Sequence, residues 1–241
     1  MNYSSLISNT PSLSLDVPAD LKENFHRLEQ VIRFDRDDYP PGAIVDNVKT
    51  HVIRGIHFIQ SLDLENKDKV VRMFLIHDFP EIVTGDTPSP TKDIDFSKDD
   101  MNHYESEEKT AAKQLYSEDD YRLWQEYATA SAWFKEKSDN MPTYEAMIAK
   151  TVDAIDGFCV FHYFMTDWIR SDNYSKGQMP LDSSMVHGFK DMARFQNKLS
   201  LLAEHQQETP RLLYKNAEKT AIKMWDDVPN DRIPSCIVER L

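Results

Sequence analysis

Residues 76–92, IHDFPEIVTGDTPSPTK, decide how this chain is interpreted, because they place His77 and Asp78 side by side at the end of an apolar run. Adjacent His and Asp side chains suit a hydrophobic core poorly, but an imidazole nitrogen and a carboxylate oxygen are ordinary ligands of Zn, Mn, Fe or Co. One more His and one more carboxylate would complete a set of ligands. His51, upstream, and Asp153, downstream, are the candidates.

The sequence around this stretch predicts an all-α fold. Only six glycines occur, and helix-forming residues dominate the stretches between prolines. Apolar side chains recur at helical spacing in residues 45–62, which predicts a helix with His51 in its interior, and residues 67–77 predict a helix that ends at the His-Asp pair. Further helices are predicted at about 20–33, 98–115, 118–136, 142–170, 181–205 and 210–225.

Composition limits the partners and the compartment. A formal charge of −13 gives no excess of Lys and Arg to displace phosphate counterions, so a nucleic-acid partner is not expected, whereas a small phosphorylated substrate is compatible. Cys159 and Cys236 are far apart in sequence and predict no disulfide framework. We find no leader and no apolar run near the ~18 residues that a bilayer requires. The sequence therefore predicts a cytoplasmic protein without a membrane partner.

The pattern of His51, then His77-Asp78, then Asp153 resembles the H…HD…D pattern of the HD-domain metal-dependent phosphohydrolases. The run from His77 is similar to the HD-x-x-E-x-x-x-G-D-x-x-x-P signature of the 5′-deoxynucleotidase branch. The resemblance implies a helical bundle with one divalent ion, Co, Mn, Zn, Fe or Mg, in a central cleft, and it suggests a homodimer. We expect a flexible arm at residues 1–17, the HD domain at 18–175, and a helical extension at 176–241 packed on the same domain.

The resemblance also implies roles around the ion. Glu81 lies one helical turn beyond Asp78, so it is expected beside the site as an acid or base, and Asp86 shares this role. A bound divalent ion lowers the pKa of a water ligand and polarises a phosphoryl oxygen, so the protein must position the substrate and neutralise its charge. The expected phosphate-binding residues are Arg33, Arg36, Arg54 and Lys92.

Alternatives remain at several positions. The His77-Asp78 pair is also compatible with a helix end followed by a cap, and Asp156, one turn after Asp153, is an alternative ligand. Two positions depart from the family pattern, because Thr50 stands where Glu is common and Phe34 where Trp is common, which leaves substrate selection open. The acidic cluster at Glu105, Glu107 and Glu108 is interpreted as a solvated helix face.

The sequence thus predicts a metal-dependent phosphohydrolase that converts a deoxynucleoside 5′-monophosphate to nucleoside and phosphate. One alternative is a triphosphohydrolase, or a hydrolase of another phosphorylated metabolite, that uses the same metal site. Another is an HD-fold binding protein without catalytic activity.

Overall fold

The computed structural model describes residues 3–34, 42, 44–88, 92, 95–171 and 181–240, with the side chains of 181–184 excepted. The fold is all-α, as the sequence predicts. The helices in these ranges are α1 (Tyr3–Asn9), α2 (Lys22–Arg27), α3 (Val48–Gln60), α4 (Lys67–Ile76), α5 (Glu81–Thr84), α6 (Lys98–Leu115), α7 (Glu118–Phe134), α8 (Tyr144–Arg170), α9 (Leu181–Leu199), α10 (Glu204–Lys223) and α11 (Ser235–Val238).

The chain divides into two compact units. The first unit comprises Asn9–Asp35 and Asp46–Lys150, and the second comprises Met1–Ser8, Arg36–Val45 and Thr151–Leu241. The boundary between these units falls inside α8, which is one uninterrupted helix. The division between residues 175 and 176 that the sequence predicts lies outside the described residues and stays a prediction.

The centre of the first unit is formed by α3 packed against α4. Asn47 caps α3, because its side chain accepts a hydrogen bond from the Thr50 amide while the Thr50 hydroxyl accepts one from the Asn47 amide. The two helices approach closely at Gly55, where an added Cβ would lie 2.1 Å from Cε1 of Phe74. This position therefore requires glycine if the Phe74 ring is to stay where it is.

An ion pair joins α4 to α7 within the first unit. The Arg72 guanidinium donates two hydrogen bonds to the Asp120 carboxylate, at 2.9 and 2.8 Å, and a third to Asp20 at 3.0 Å. Asp120 is buried, and these contacts raise the pKa of Arg72. A bidentate pair of this kind has a defined geometry, so it fixes the register between the two helices.

The second unit has an aromatic core around His162. The His162 ring is fully buried, its Nδ1 accepts a hydrogen bond of 3.0 Å from the Trp225 indole, and Phe158 and Phe189 contact its faces. Burial lowers the pKa of His162 to about 3, so the ring is neutral. Cys159 and Cys236 are both buried and unbridged.

The amino-terminal residues differ from the flexible arm expected for residues 1–17. Residues 3–9 form α1, in which Tyr3, Leu6 and Ile7 are buried. The Tyr3 hydroxyl donates a hydrogen bond of 2.9 Å to the Asp156 carboxylate, also in the second unit. The i, i+3 and i+4 spacing of the three apolar residues explains the helix, and the intervening serines concealed it. Within the described ranges, no helix combines the length and apolar character that crossing a bilayer requires.

Candidate metal centre

His51 is placed by the interior of α3. Its side chain is fully buried, and its ring lies 5.2 Å from the ring of Phe74 on α4, measured between centroids. Thr50, which departs from the family pattern, belongs to the cap of α3 and also donates to Asp46. The close approach at Gly55 therefore brings the His51 helix next to the helix that carries the other two ligands.

His77 and Asp78 are placed by the end of α4. His77 is the C-terminal cap residue, and the chain turns there so that the amide of Phe79 donates to the Ile76 carbonyl at 3.0 Å. The Tyr116 hydroxyl donates to the same carbonyl. Because the helix ends here, two successive side chains face one point, which a continuing helix would not allow.

Three ligand atoms converge at this point. The Nε2 atoms of His51 and His77 are 3.2 Å apart, and Oδ2 of Asp78 lies 3.5 Å from the first and 2.9 Å from the second. The three atoms form a triangle with these sides, and the circle through them has a radius of about 1.9 Å. One ion can therefore bond all three atoms at the usual distances of about 2.0–2.2 Å. The three residues thus fit a divalent metal ion.

The hydrogen bond of His77 supports this use of its ring. Its Nδ1 lies 2.7 Å from the backbone carbonyl of Phe74, and a carbonyl only accepts, so Nδ1 carries the proton. The lone pair is then on Nε2, the atom that faces His51 and Asp78. The ring also packs on Tyr127, at 4.8 Å between centroids. These contacts fix the tautomer and orientation that ligation requires.

The two candidates for a fourth ligand, Asp153 and Asp156, lie in the second unit. Asp156 is fully buried and accepts the hydrogen bond from Tyr3, which gives it a structural role. Asp153 is half-buried on α8. Its role as a ligand stays a prediction from the sequence.

Glu81 begins α5, and Gly85 ends that helix with a φ of 75°. The Glu81 side chain is buried, and burial raises its pKa well above the ordinary value. The negative charges of Asp78 and Asp86 raise this pKa further, and the positive charge of Lys92 opposes them. Glu81 is therefore a carboxyl group that retains a proton more readily than an exposed one.

Asp86 is held in position by the backbone of Phe34, the residue after Arg33. The Phe34 amide donates to Oδ2 of Asp86 at 3.3 Å, and Phe34 has a left-handed φ of 58°, which is uncommon for an aromatic residue. Burial raises the pKa of Asp86, whereas the charges of Arg33 and Lys92 lower it. Phe34 thus has a backbone role in addition to any role of its ring.

Arg54 has a different environment from the one predicted. Its guanidinium donates two hydrogen bonds to Asp46, at 2.9 and 2.7 Å, and only 2% of its side chain is exposed. This buried ion pair directs the planar fork of Arg54 at a protein carboxylate, and a substrate contact of Arg54 stays a prediction. Arg33 also pairs with Asp46, at 3.2 Å, and lies over the Phe34 ring. Arg36, the fourth predicted cation, lies outside the described residues.

Two residues near Lys92 were not anticipated as part of the site. The Lys92 ammonium lies 4.3 Å from the centroid of the Tyr104 ring, and the Tyr104 hydroxyl donates to Glu108 at 3.0 Å. Burial raises the pKa of Glu108, and the Lys92 charge opposes this. Glu108 is half-buried where α6 packs against α5, whereas Glu105 and Glu107 of the same predicted solvated face are exposed. A Tyr and Glu four residues apart on one helix face were the available signal.

The comparisons with known proteins agree with this geometry. The sequence matches the HD domain family over residues 52–179, which is more than half of the chain, so the protein belongs to that family. The match includes His77 and Asp78 and begins one residue after His51. Neither a curated protein nor a solved structure matches the chain. Membership indicates a metal-dependent phosphohydrolase in general terms.

Proposed function

We propose that the protein hydrolyses the phosphate monoester of a nucleotide, with a deoxynucleoside 5′-monophosphate as the favoured substrate. The observation that supports this most strongly is the convergence of His51, His77 and Asp78 next to two further carboxyl groups with raised pKa values. The nucleotide is favoured by the similarity of the sequence from His77 to the 5′-deoxynucleotidase signature.

The ligands proposed for one divalent ion are His51, His77, Asp78 and Asp153. When bound, such an ion activates a water molecule as a nucleophile and reduces the negative charge of the phosphoryl oxygens. The fourth ligand is tested by replacing Asp153 with Asn, which we expect to weaken metal affinity. Asp167→Asn, an exposed position on the same helix, is the matched control.

Glu81 and Asp86 are proposed to manage the protons of the reaction. A water oxygen bonds to phosphorus, the bond from phosphorus to the alcohol oxygen breaks, and the water proton passes to a carboxylate. The alcohol oxygen must gain a proton as it leaves. A buried carboxyl group with a raised pKa takes up a proton more readily than an exposed one and can return it, which supports roles for both residues.

Arg33 and Lys92 are proposed to bind the phosphoryl group. Both charges act on Asp86, so both cations lie near the proposed proton-transfer group. Arg33 has 11% of its side chain exposed, whereas Arg54 has 2%, so Arg33 is the better placed of the two for a ligand. A guanidinium recognises phosphate oxygens through paired hydrogen bonds, which suits Arg33 to this role.

The experiment is a phosphate-release assay on protein loaded with Co²⁺ or Mn²⁺. The substrates are deoxynucleoside and ribonucleoside 5′-monophosphates and a nucleoside triphosphate. We expect phosphate from a deoxynucleoside monophosphate, and a loss of about 10²–10⁴-fold in Glu81→Gln and Asp86→Asn with metal retained. Glu107→Gln, an exposed carboxylate on α6, should retain activity.

Other outcomes separate the alternatives. Release of triphosphate would identify a triphosphohydrolase. Full metal occupancy without turnover of any nucleotide would reject the proposed reaction and leave two alternatives, a hydrolase of another phosphorylated metabolite and a non-catalytic binding protein.

A further inference from the structure

A pocket with a volume of about 420 Å³ opens beside the proposed proton-transfer residues of the first unit. Glu81 and Asp86 both contribute to its lining, together with the aliphatic side chains of Val31, Ile32 and Ile82. The volume lies within the range of about 300–1,000 Å³ that is typical of small-molecule sites. The pocket therefore adjoins the place where the bond to the leaving alcohol would break.

The wall opposite α5 is held in a fixed conformation. Ile32 forms an isolated antiparallel bridge with Asn47, and the Val48 amide donates to the Val31 carbonyl at 3.0 Å. Arg33 follows Ile32, and its amide donates to the Asp46 carbonyl at 3.1 Å. The segment is thereby attached to the start of α3. Ile32 nevertheless remains 53% exposed, as expected of an apolar side chain that faces an open pocket.

The chemistry of the lining limits what can occupy it. The two carboxyl groups of Glu81 and Asp86 outnumber the one cation of the lining, Arg27, which disfavours a second anionic group in the occupant. The aliphatic wall favours a ring with an apolar face. The exposed side chains of Gln30 and Arg27 also line the pocket and supply an amide and hydrogen-bond donors. A phosphate ester with an uncharged, ring-bearing alcohol that carries hydrogen-bonding edges fits this combination.

From these contacts we infer that the pocket binds the alcohol part of the substrate, and that this part is an uncharged ring system such as a nucleoside. This inference rests on the proposed function, because it requires Glu81 and Asp86 to act at the bond between phosphorus and the alcohol oxygen. Ile82 and Ile32 are then specificity residues, and neither takes part in proton transfer or metal binding.

The test fills the pocket without altering the metal ligands. Ile82→Trp places a bulky ring in the pocket, whereas Val83→Trp places the same ring at the adjacent position, which is 58% exposed and does not line it. Ile32→Trp, on an exposed part of the opposite wall, repeats the test if Ile82→Trp does not fold. Binding of a deoxynucleoside monophosphate and of inorganic phosphate is measured by calorimetry on metal-loaded protein, with phosphate release measured in parallel.

We expect Ile82→Trp and Ile32→Trp to weaken nucleotide binding by at least about tenfold, because the added ring occupies the space of the nucleoside. Binding of inorganic phosphate should be unchanged in both, and Val83→Trp should resemble the wild type. If the wild type turns over the nucleotide and the wall variants bind it as tightly as Val83→Trp, the pocket assignment is overturned alone. Absence of turnover in the wild type would instead reject the proposed function.

Discussion

Removing the Asp46 carboxylate should destabilise the protein strongly, because it would leave the charge of Arg54 buried without its principal partner. Asp46 is 7% exposed and Arg54 is 2% exposed, and two hydrogen bonds join them. An arginine does not lose its proton in a protein, so Arg54 cannot relieve the burial by becoming neutral. Breaking a buried pair from one side costs about 3–5 kcal/mol, which is the expected loss in unfolding free energy for Asp46→Ala.

Removing the Arg54 charge should lower the unfolding free energy by less than removing the Asp46 carboxylate does. Arg54→Met keeps an apolar side chain in the buried space, and the Asp46 carboxylate retains its contacts with Arg33, at 3.2 Å, and with the Thr50 hydroxyl. Losing the charge-assisted hydrogen bonds of Arg54 is expected to cost about 1–3 kcal/mol. The double variant, Asp46→Ala with Arg54→Met, should be more stable than Asp46→Ala alone, since the charge of Arg54 is then no longer buried without the Asp46 carboxylate.

Urea unfolding followed by circular dichroism measures these differences. An unfolding free energy for Asp46→Ala within about 1 kcal/mol of the wild type, or equal losses in the two single variants, would refute the reasoning. The Michaelis constant of Arg54→Met for a nucleotide should stay close to that of the wild type. A large increase in this Michaelis constant would support the substrate contact that the sequence predicts for Arg54.

Three further predictions concern single side chains. In metal-free protein at pH 7, Glu81→Gln should raise the urea midpoint, because the raised pKa of Glu81 reports a charge that is costly to bury. The gain should vanish below the ordinary pKa of 4.5, where the carboxyl group is neutral in both states. A gain that persists below this pH would contradict the role assigned to the Glu81 charge. His162, with a pKa of about 3, stays neutral while the unfolded chain takes up a proton, so the unfolding free energy should fall by about 1.4 kcal/mol per pH unit below about 6.5. The unfolding free energy of His162→Gln should lack this dependence on pH. A pH profile for the variant that equals the wild-type profile would contradict the assignment to His162. Gly55→Ala should lower the unfolding free energy by about 1–3 kcal/mol and weaken metal binding, because Phe74 must move and its ring lies 4.6 Å from the ring of His77. Unchanged metal affinity by calorimetry would show that the Phe74 ring can shift without displacing His77.

The helices that hold the metal centre could be predicted because their signals are local. The apolar spacing of α3 and the end of α4 at the His-Asp pair each depend on residues within a turn or two of one another. The convergence of His51 with His77 and Asp78 was predicted by a different route, namely the family pattern.

Contacts between distant segments could not be predicted in the same way. Arg54 and Asp46 are eight residues apart, and only the path of the chain before α3 brings them together. Glu108 has the sequence context of an exposed helix face, and its burial depends on the packing of α6 against α5. The homodimer and the cytoplasmic location stay predictions, because they depend on partners and surroundings that lie outside a single chain.

The most direct test of the account is a metal titration of chelator-treated protein by calorimetry. The wild type should bind one divalent ion per chain, and His51→Ala or His77→Ala should lower the affinity by at least about 100-fold, since even partners of the ligands usually contribute 10–100-fold. His103→Ala, at a position with 74% of its side chain exposed, should bind as the wild type does. Wild-type affinity in His77→Ala would contradict the claim that these residues form the metal centre.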